Sequence, residues 1–421
     1  MKIHFFILLI PLVWAKNEEV AGWKSYFVRP TSYDQLKNLN HIVEKLNLDF
    51  YQHAAVNREG LVFVQPEDKH FTNELKNAGI SYRIHAEDLK AHFDFEDKTF
   101  RSINVESNRF GGNLSYDQYQ TVETIYKYLE DIAEEYPDIA KVVTPRNSYN
   151  GLPIKYMKIS TTNFEDHSKP IIFIDGGIHG REWLTIPPVT YAVHKLVENV
   201  TQNDLLDRFD WILLPVVNPD GYMFSRVVNA PWRKTRSIDS HPLSPVCPGV
   251  DIDRNFDFVW NTVGTSEMPC SYVYPGMKAF SEVETTVVRD ILKENNRILM
   301  YISFSSFGSQ ILYPWGHNGT LSNQGFALHS VGISIADTIN RNKLPYFLNY
   351  VVGNAALVRG AEMSGTSIDY AHYVGVPLAY SIELPGLFGG YFMFPIYIKQ
   401  VCFETWEGIV SGVRRASVLF G

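Results

Sequence analysis

The sequence predicts an α/β protein of two units: a large unit with a mixed, mainly parallel sheet between helices, preceded by a small α+β unit. Short, near-continuous apolar runs alternate with helix-forming segments over about three hundred residues, a pattern typical of buried strands in a parallel sheet. The chain has 421 residues, of which 45% are hydrophobic and 20% are charged. That composition supplies a full core and excludes disordered, collagen-like and coiled-coil chains.

The small unit is predicted to be a compact, ferredoxin-like α+β sandwich of four strands and two helices. Its strands are expected at Lys24 to Val28, Asp49 to Ala55, Leu61 to Val64 and Tyr82 to His85, and its helices at Ser32 to Leu46 and Pro66 to Ala78. The stretch from Lys90 to Asn113 is polar and carries Lys98, Arg101, Arg109 and a Gly-Gly pair. We interpret it as an exposed linker that a trypsin-like protease can cut.

The large unit follows from about residue 115. Its strands are expected at Ile154 to Ile159, Ile171 to Asp175, Trp211 to Val217 and Leu299 to Phe304. Its helices are expected at Ser115 to Glu135, Pro187 to Glu198, Ser281 to Glu294 and Gln324 to Arg341, with Ser115 as the N-cap of the first. Strands and helices in this alternation predict an α/β/α sandwich.

The N-terminus and the charge balance indicate a secreted protein. Met1 and Lys2 precede an apolar stretch that ends at Ala15, which is the pattern of a signal peptide. No later segment has the roughly 20 uninterrupted apolar residues of a membrane span. The net charge of −8 makes nucleic acid an unlikely partner. Sequons for N-glycosylation begin at Asn113, Asn199 and Asn318.

Three cysteines in an exported chain favour one disulfide and one remaining thiol. Cys247 and Cys270 flank a loop-like stretch, so we expect them to be the pair. Cys402 is then left unpaired, as a buried apolar residue.

The most distinctive local feature is the segment Asp175-Gly-Gly-Ile-His-Gly-Arg-Glu-Trp183, directly after an apolar strand. In open α/β sheets ligands gather at the carboxyl ends of strands, where His179 and Glu182 could converge on one metal ion. Taken alone, these residues fit a helix N-terminus with a capping acid about equally well.

The motifs that accompany this segment are more specific. They are Asn218-Pro-Asp-Gly221, Trp232-Arg-Lys-Thr-Arg236, Val250-Asp-Ile-Asp-Arg-Asn255, Gly365-Thr-Ser-Ile-Asp369 and Ser381-Ile-Glu-Leu384. In this order and at these spacings they resemble the secreted metallocarboxypeptidases of the A/B type. The resemblance extends from about Lys24 to the C-terminus, because the small unit is similar to the pro-domain of those zymogens. The cysteines Cys247 and Cys270 also match the disulfide position of the family.

The resemblance implies a carboxypeptidase-like fold and a set of site residues. His179 and Glu182 match two zinc ligands, and Asp251 matches the carboxylate that orients the ligand histidine. Arg233 matches the arginine that polarises the scissile carbonyl, and Glu383 matches the general base. The substrate-binding residues that match are Arg254 and Arg181 for carboxylates, Asp253 beside Arg254, and Ile368 in the pocket for an apolar or aromatic terminal side chain.

Four positions depart from the family pattern. When the chain is aligned on Leu312-Tyr-Pro314, the third zinc ligand, a histidine in the family, falls on Ser305. A neutral hydroxyl is a poor zinc ligand. A substrate-contacting tyrosine becomes Phe307, an asparagine becomes Asp253, and the mobile active-site tyrosine becomes Ala361.

Two hypotheses follow. In the first, the chain is an active secreted zinc carboxypeptidase that is made as a zymogen. In the second, it keeps the fold and a peptide-binding cleft but hydrolyses peptides slowly or not at all, with peptides or a protein partner as its ligand. His317 and His372 are not spaced to supply the missing ligand.

The expected organisation has three parts: a signal peptide at 1–15, a pro-domain at 16–108 whose activation segment ends at about 90–113, and a metallocarboxypeptidase-like domain at 109–421. The partners that the resemblance implies are peptide or protein C-termini and an activating trypsin-like protease. One zinc ion is the implied cofactor, no membrane is expected as a partner, and the protein is expected to be a monomer.

Overall fold

A computed structural model describes residues 16–102, 114–386 and 392–421, and the side chains of 100–102 are not described. The predicted signal peptide at 1–15 and the sequon at Asn113 lie outside the described residues. No helix in the described ranges is long and apolar enough to cross a membrane.

The first unit has the predicted four strands and two helices. Its elements are β1 (Lys24–Arg29), α1 (Tyr33–Lys45), β2 (Asp49–Gln52), β3 (Gly60–Val64), α2 (Phe71–Asn77), β4 (Ser81–Ala86) and α3 (Leu89–Ser102). The strands form an antiparallel sheet in the order β2-β3-β1-β4. Ser32 caps α1 by accepting a hydrogen bond from the backbone N–H of Gln35 at 3.2 Å, which explains where this helix begins.

The strand β3 of this small sheet is buried on both faces. Val62 and Val64 of β3 pack in the core with α1 and α2, while the alternate residues Leu61 and Phe63 belong to the core of the large unit. Because neighbouring strand residues point to opposite faces, one strand contributes to two cores. The small unit is therefore packed against the large one through an apolar face.

The large unit is built around an eight-stranded sheet. Its elements are α4 (Val122–Glu135), β5 (Ala140–Asn147), β6 (Pro153–Ile159), β7 (Ile171–Asp175), α5 (Ile186–Val197), α6 (Asp204–Arg208), β8 (Asp210–Leu214), α7 (Pro219–Val227), α8 (Val283–Glu294), β9 (Ile298–Ser306), β10 (Gln310–Tyr313), α9 (Gly325–Asn342), β11 (Val351–Asn354), α10 (Ala355–Arg359), α11 (Ser367–Tyr373), β12 (Leu378–Leu384) and α12 (Ile398–Phe420). The strand order is β11-β10-β12-β9-β7-β8-β6-β5.

The centre of this sheet is parallel. The pairs β12/β9, β9/β7 and β7/β8 are parallel, as is β10/β11, and antiparallel pairs lie at β10/β12, β8/β6 and β6/β5. One face packs against α4, α5, α9 and α12, and the other against α8 and α11. The predicted α/β/α sandwich with a mixed, mainly parallel sheet is confirmed.

Three predictions about helices are wrong. The helix expected at Pro66 to Ala78 begins at Phe71 and ends at Asn77. The helix expected from Ser115 begins at Val122, because Thr121 is the N-cap and accepts from the N–H of Thr124 at 3.2 Å. The segment interpreted as a linker from Lys90 is helical through Ser102 as α3. Its apolar residues Leu89 and Phe93, four positions apart, are buried against the large unit.

Several strand predictions had wrong ends or were missing. β2 ends at Gln52 rather than Ala55, and β8 ends at Leu214 rather than Val217. The edge strands β5 and β11 were not predicted. Neither were β10, which is only four residues long, and β12, which lies between β10 and β9. β5 contains lysine, proline and arginine and is largely exposed, so it lacks the apolar run that identified the central strands.

The disulfide prediction is confirmed. Cys247 and Cys270 are bonded, and Cys402 is a free, buried cysteine in α12.

Candidate active site

The candidate site lies at the carboxyl ends of the central strands β7, β9 and β12. The chain leaves β7 at Asp175 and brings His179 and Glu182 to this edge of the sheet. Gly180 permits this path, because a Cβ at that position would lie 2.4 Å from the carbonyl oxygen of Gly221. Ser305 near the end of β9 and Glu383 near the end of β12 are register partners in adjacent strands.

His179 and Asp251 form a buried pair. The Nε2 of His179 lies 3.0 Å from Oδ1 of Asp251, and its Nδ1 lies 2.8 Å from Oε1 of Glu182. Burial raises the pKa of Asp251, but the positive charge of Arg233 and the hydrogen bond to His179 outweigh it and hold that pKa below its usual range. Asp251 is therefore an anion that fixes the orientation of the imidazole.

Arg233 is held against the same carboxylate. Its Nη2 donates to Oδ2 of Asp251 at 3.0 Å, and its Nη1 lies 3.9 Å from Oε1 of Glu182. This guanidinium faces the cleft while both of its anionic neighbours are buried. It is in a position to stabilise negative charge on a bound carbonyl oxygen.

Ser305 contacts Glu182. Its hydroxyl donates to Oε2 of Glu182 at 3.0 Å, and the backbone N–H of Ser306 donates to the same oxygen at 3.1 Å. The other oxygen of Glu182 faces His179, so both carboxylate oxygens have protein partners. The side chain of β9 that contacts Glu182 therefore carries a hydroxyl group and not an imidazole.

The residues present do not fit a three-ligand zinc site. Catalytic zinc is held by three protein ligands, usually nitrogen and carboxylate oxygen, with a water in the open position. Within residues 16–102, 114–386 and 392–421, no group of three or more His, Cys, Asp and Glu side chains is placed to hold a metal ion. His179 and Glu182 are brought together, but Ser305 does not complete the set.

Glu383 forms an ion pair with Arg359, a residue that sequence reasoning missed. Both the Nε of Arg359, at 3.1 Å, and its Nη2 donate to Oε1 of Glu383, and both side chains are buried. Burial raises the pKa of Glu383, and the charge of Arg359 opposes that rise. Arg359 ends α10, and the only signal in the sequence was an arginine after the apolar run Ala355-Ala-Leu-Val358.

The second oxygen of Glu383, Oε2, has no hydrogen-bond partner in the described parts of the chain. It faces Gly308, where a Cβ would lie 1.9 Å from this oxygen. Glycine is therefore required at 308 for Glu383 to keep its position.

Asp253 and Arg254 follow Asp251 in a short helical turn. The Oδ1 of Asp253 accepts from the N–H of Ser367 at 2.8 Å, at the start of α11, so this carboxylate is partly compensated by the positive end of a helix. Arg254 donates to the backbone oxygens of Gly264 at 2.9 Å and of Asp253 at 2.8 Å. Both residues line the cleft.

The small unit covers the cleft. Arg181 forms a buried, bidentate ion pair with Asp49 of β2 and donates to the carbonyl oxygen of Phe50 at 3.0 Å. Tyr51 and His53 line the cleft together with the residues described above. Burial lowers the pKa of His53, as do the charges of four guanidiniums, those of Arg359, Arg233, Arg254 and Arg181.

Three remaining predicted positions lie as follows. Phe307 lines the cleft, with its ring centroid 6.2 Å from that of Tyr51. Ile368 is buried in the core between the sheet, α8 and α11, and Ala361 is partly exposed after α10. Neither of these two is among the described residues that line the covered cleft.

The histidines considered as substitute ligands have other partners. The Nδ1 of His317 lies 3.2 Å from Oδ2 of Asp369. His372 contacts the hydroxyl of Ser322 at 2.6 Å and the carbonyl oxygen of Val376 at 2.8 Å. Neither completes the site, as the spacing predicted.

Comparison with known proteins identifies the family. Residues 125–408 match the family model described as zinc carboxypeptidase, and residues 26–96 match the one described as carboxypeptidase activation peptide. This chain belongs to the zinc carboxypeptidase family. The second match spans the small unit from β1 into α3, which is therefore the activation peptide of a procarboxypeptidase.

This chain is similar to relatives named carboxypeptidase A and to others named carboxypeptidase B. Carboxypeptidase B of Helicoverpa zea is 53% identical over 427 residues, which cover 100% of each chain. Carboxypeptidase A2 of Rattus norvegicus is 31% identical and covers 93% of each chain. The crystal structure of the carboxypeptidase A from Helicoverpa armigera superposes with a TM-score of 0.89 at 38% identity, covering 95% of this chain and 99% of that one.

Proposed function

We propose that this chain, once its activation peptide is removed, binds the C-terminal residue of peptides but hydrolyses it far more slowly than an efficient zinc carboxypeptidase. The observation that carries the proposal is the hydrogen bond from Ser305 to Glu182, in the place where the family has a histidine ligand. Loss of even an outer partner of a metal ligand typically costs 10–100-fold in activity, and loss of a ligand should cost more.

Binding rests on the arginines of the cleft. Arg254 and Arg181 hold the terminal carboxylate and an outer carboxylate of the peptide, because a planar guanidinium binds carboxylate in a bidentate manner. Arg233 faces the carbonyl group of the terminal peptide bond. Ile368 matches the position that sets the terminal side-chain pocket in the family, but it does not line the covered cleft, so the preference for aliphatic and aromatic C-terminal residues over basic ones rests on the family resemblance alone.

Three further positions weaken turnover. Asp253 lies next to Arg254 and opposes a substrate carboxylate, although its interaction with the start of α11 reduces this effect. Ala361 cannot close over the bound peptide as the family's tyrosine does. Glu383, the residue at the general-base position, forms an ion pair with Arg359.

The second candidate function is that of an active zinc carboxypeptidase. It is favoured by the retained His179, Glu182 and Asp251 cluster and by Arg233 and Glu383, which remain together at one end of the sheet. In that case zinc would have to be held by two protein ligands and solvent. A binding role towards a protein partner rather than peptides is a variant of the main proposal.

The biological setting follows from the activation peptide. We infer that the chain is secreted as a monomeric zymogen and is activated by a trypsin-like protease that cuts near the end of α3 or shortly after it. The basic residues Lys98, Arg101 and Arg109 are the candidate cleavage positions. No membrane or nucleic acid is involved.

The binding proposal is tested with two peptides that differ at one group. The processed chain should bind a peptide that ends in Phe with a free carboxylate and should bind its C-terminal amide at least tenfold more weakly, by isothermal titration calorimetry. Arg254→Met should remove this preference. The matched control is Arg146→Met, which removes an ion pair between Arg146 on β5 and Asp290 on α8. Equal affinity for acid and amide would contradict the proposal.

A further inference from the structure

The buried ion pair between Arg359 and Glu383 is a feature that the proposed function does not by itself require. Arg359 is 8% exposed and Glu383 is 2% exposed, so the pair is withdrawn from water. The Nη1 of Arg359 donates a hydrogen bond to the sulfur of Met363 at 3.0 Å. A buried charge is tolerated only when it is paired, so each of these residues depends on the other.

The side chains of His179 and Glu182 are satisfied in the same internal way, although Oε2 of Glu383 and the hydroxyl of Ser306 have no hydrogen-bond partner among the described residues. Both ring nitrogens of His179 have carboxylate partners, Glu182 and Asp251. Both oxygens of Glu182 have donors, because Ser305 and Ser306 supply the second one. The groups that would hold a metal are therefore hydrogen-bonded to one another.

The charges of the cleft argue in the same direction. Arg233, Arg254 and Arg359 all line the cleft. Two of these guanidiniums are already paired with carboxylates, Arg233 with Asp251 and Arg359 with Glu383, and a divalent cation between His179 and Glu182 would add two further positive charges beside them. In a site that excludes water, repulsion between like charges is stronger than at a solvated surface.

We infer that Arg359 is the cation that stands opposite Glu383 in place of a metal ion, and that Ser305 and Arg359 together make this cleft stable without one. The inference rests on the proposed function, since in an active zinc enzyme the cleft would have to hold a metal ion. It assigns Arg359 a positioning role: it holds Glu383 and disfavours a metal, and it does not act on the substrate.

The test measures zinc affinity and thermal stability in the full-length chain. The unmodified chain should hold much less than one zinc per molecule, and its melting temperature should be the same with EDTA and with added zinc chloride. Ser305→His should bind zinc, and adding Arg359→Met to it should raise the zinc affinity at least a further tenfold, measured by competition with a chromogenic chelator.

Three controls separate the charge of Arg359 from other effects. Ser305→His with Arg359→Lys keeps the charge and should bind zinc no more tightly than Ser305→His. Ser305→His with Arg146→Met changes an arginine outside the cleft and should also match it. Arg359→Met also leaves Glu383 buried without a partner. The zinc affinity is therefore compared in a second pair of chains: the double variant Ser305→His, Glu383→Gln, and the triple variant that adds Arg359→Met to it. The tenfold gain should appear in this second comparison as well.

The inference is overturned if removing Arg359 leaves zinc affinity unchanged in both backgrounds, or if the unmodified chain holds one zinc per molecule and is destabilised by EDTA. These outcomes are distinct from failure of the proposed function, which is judged by peptide binding and turnover of the processed chain. A chain that binds peptides without turnover but shows no effect of Arg359 would refute this inference alone.

Discussion

At the scale of single residues, the proposed function rests on a hydroxyl in place of an imidazole at position 305. Ser305 is too short and too weak a ligand for a metal, but it donates well to Glu182. Its register partner Glu383 is in turn held by Arg359. Two side chains at the ends of adjacent strands thus account for the proposed loss of turnover.

The first prediction restores the family's residue. Ser305→His should raise both zinc affinity and peptidase activity, because a third ligand completes the site with His179 and Glu182. A tenfold gain in affinity corresponds to about 1.4 kcal/mol, and one imidazole-zinc bond in a prearranged site should exceed that. Equilibrium dialysis of zinc checks the first effect and hydrolysis of a peptide ending in Phe checks the second. Ser305→Ala should give neither gain.

The second prediction adds the two other departures from the family. The triple variant Ser305→His, Asp253→Asn, Ala361→Tyr should be more active than Ser305→His. The separate effects should not add, because all three residues act on one bound complex. Steady-state kinetics of the single, double and triple variants measure this coupling. Strict additivity of the free-energy changes would show that the three positions act independently.

How much of the site the sequence predicts depends on whether a residue belongs to a motif. His179 and Glu182 could be placed because they lie in a short segment that follows the buried strand β7, and Arg233 and Asp251 could be placed because their motifs match those of the family. Arg359 could not, because it ends a five-residue helix and meets Glu383 only through the tertiary structure.

At the scale of helices and strands, the central strands β7, β8 and β9 were predictable, whereas the central strand β12 and the edge strands were not. β7 was predicted with its observed ends because it is fully buried and continuously apolar. α3 was missed since its apolar residues Leu89 and Phe93 are separated by charged ones, and their burial depends on docking against the large unit. A local sequence pattern therefore identifies a helix or strand only when its residues lie in one kind of environment, as those of the fully buried β7 do.

The third prediction concerns α8, which carries a buried acid in its first turn. Burial, with a further contribution from the charge of Glu282, raises the pKa of Glu284 to about 8, and its Oε1 has no hydrogen-bond partner among the described residues. The folded state therefore holds a proton that the unfolded state has released, and stability should fall as pH rises from about 4.5 to about 8.

Glu284→Gln removes this dependence. The variant and the unmodified chain should be similarly stable near pH 4.5, and the variant should be more stable at pH 9 by at least about 1.4 kcal/mol, the equivalent of one pKa unit. Urea unfolding at the two pH values measures the difference. Glu294→Gln on the exposed end of the same helix is the control. A stability gap that is the same at both pH values would contradict this account.

At the scale of the whole molecule, the activation peptide is attached to the large unit by an apolar face and by polar contacts at the cleft. Leu61, Phe63 and Phe93 belong to the core of the large unit. Asp49 pairs with Arg181, and Nη1 of Arg58 donates to the carbonyl oxygens of Gly308 and Ser309 at 3.1 Å. A peptide could reach Arg181 only after Asp49 has left.

The fourth prediction follows from this attachment. Limited trypsin digestion should give a stable large fragment that begins between Thr99 and Asn113, because the basic residues Lys98, Arg101 and Arg109 precede the large unit. N-terminal sequencing of the fragment identifies the cut. A first cut within residues 115–421 would show that the large unit is not the stable product.

The turnover number of the processed, unmodified chain on a peptide ending in Phe, measured with zinc chloride present, tests the central claim most directly. We predict peptide binding with turnover well below the roughly 1–1000 per second of ordinary enzymes, and less than one bound zinc per molecule. Stoichiometric zinc together with turnover within that range would contradict the claim and would establish an active zinc carboxypeptidase.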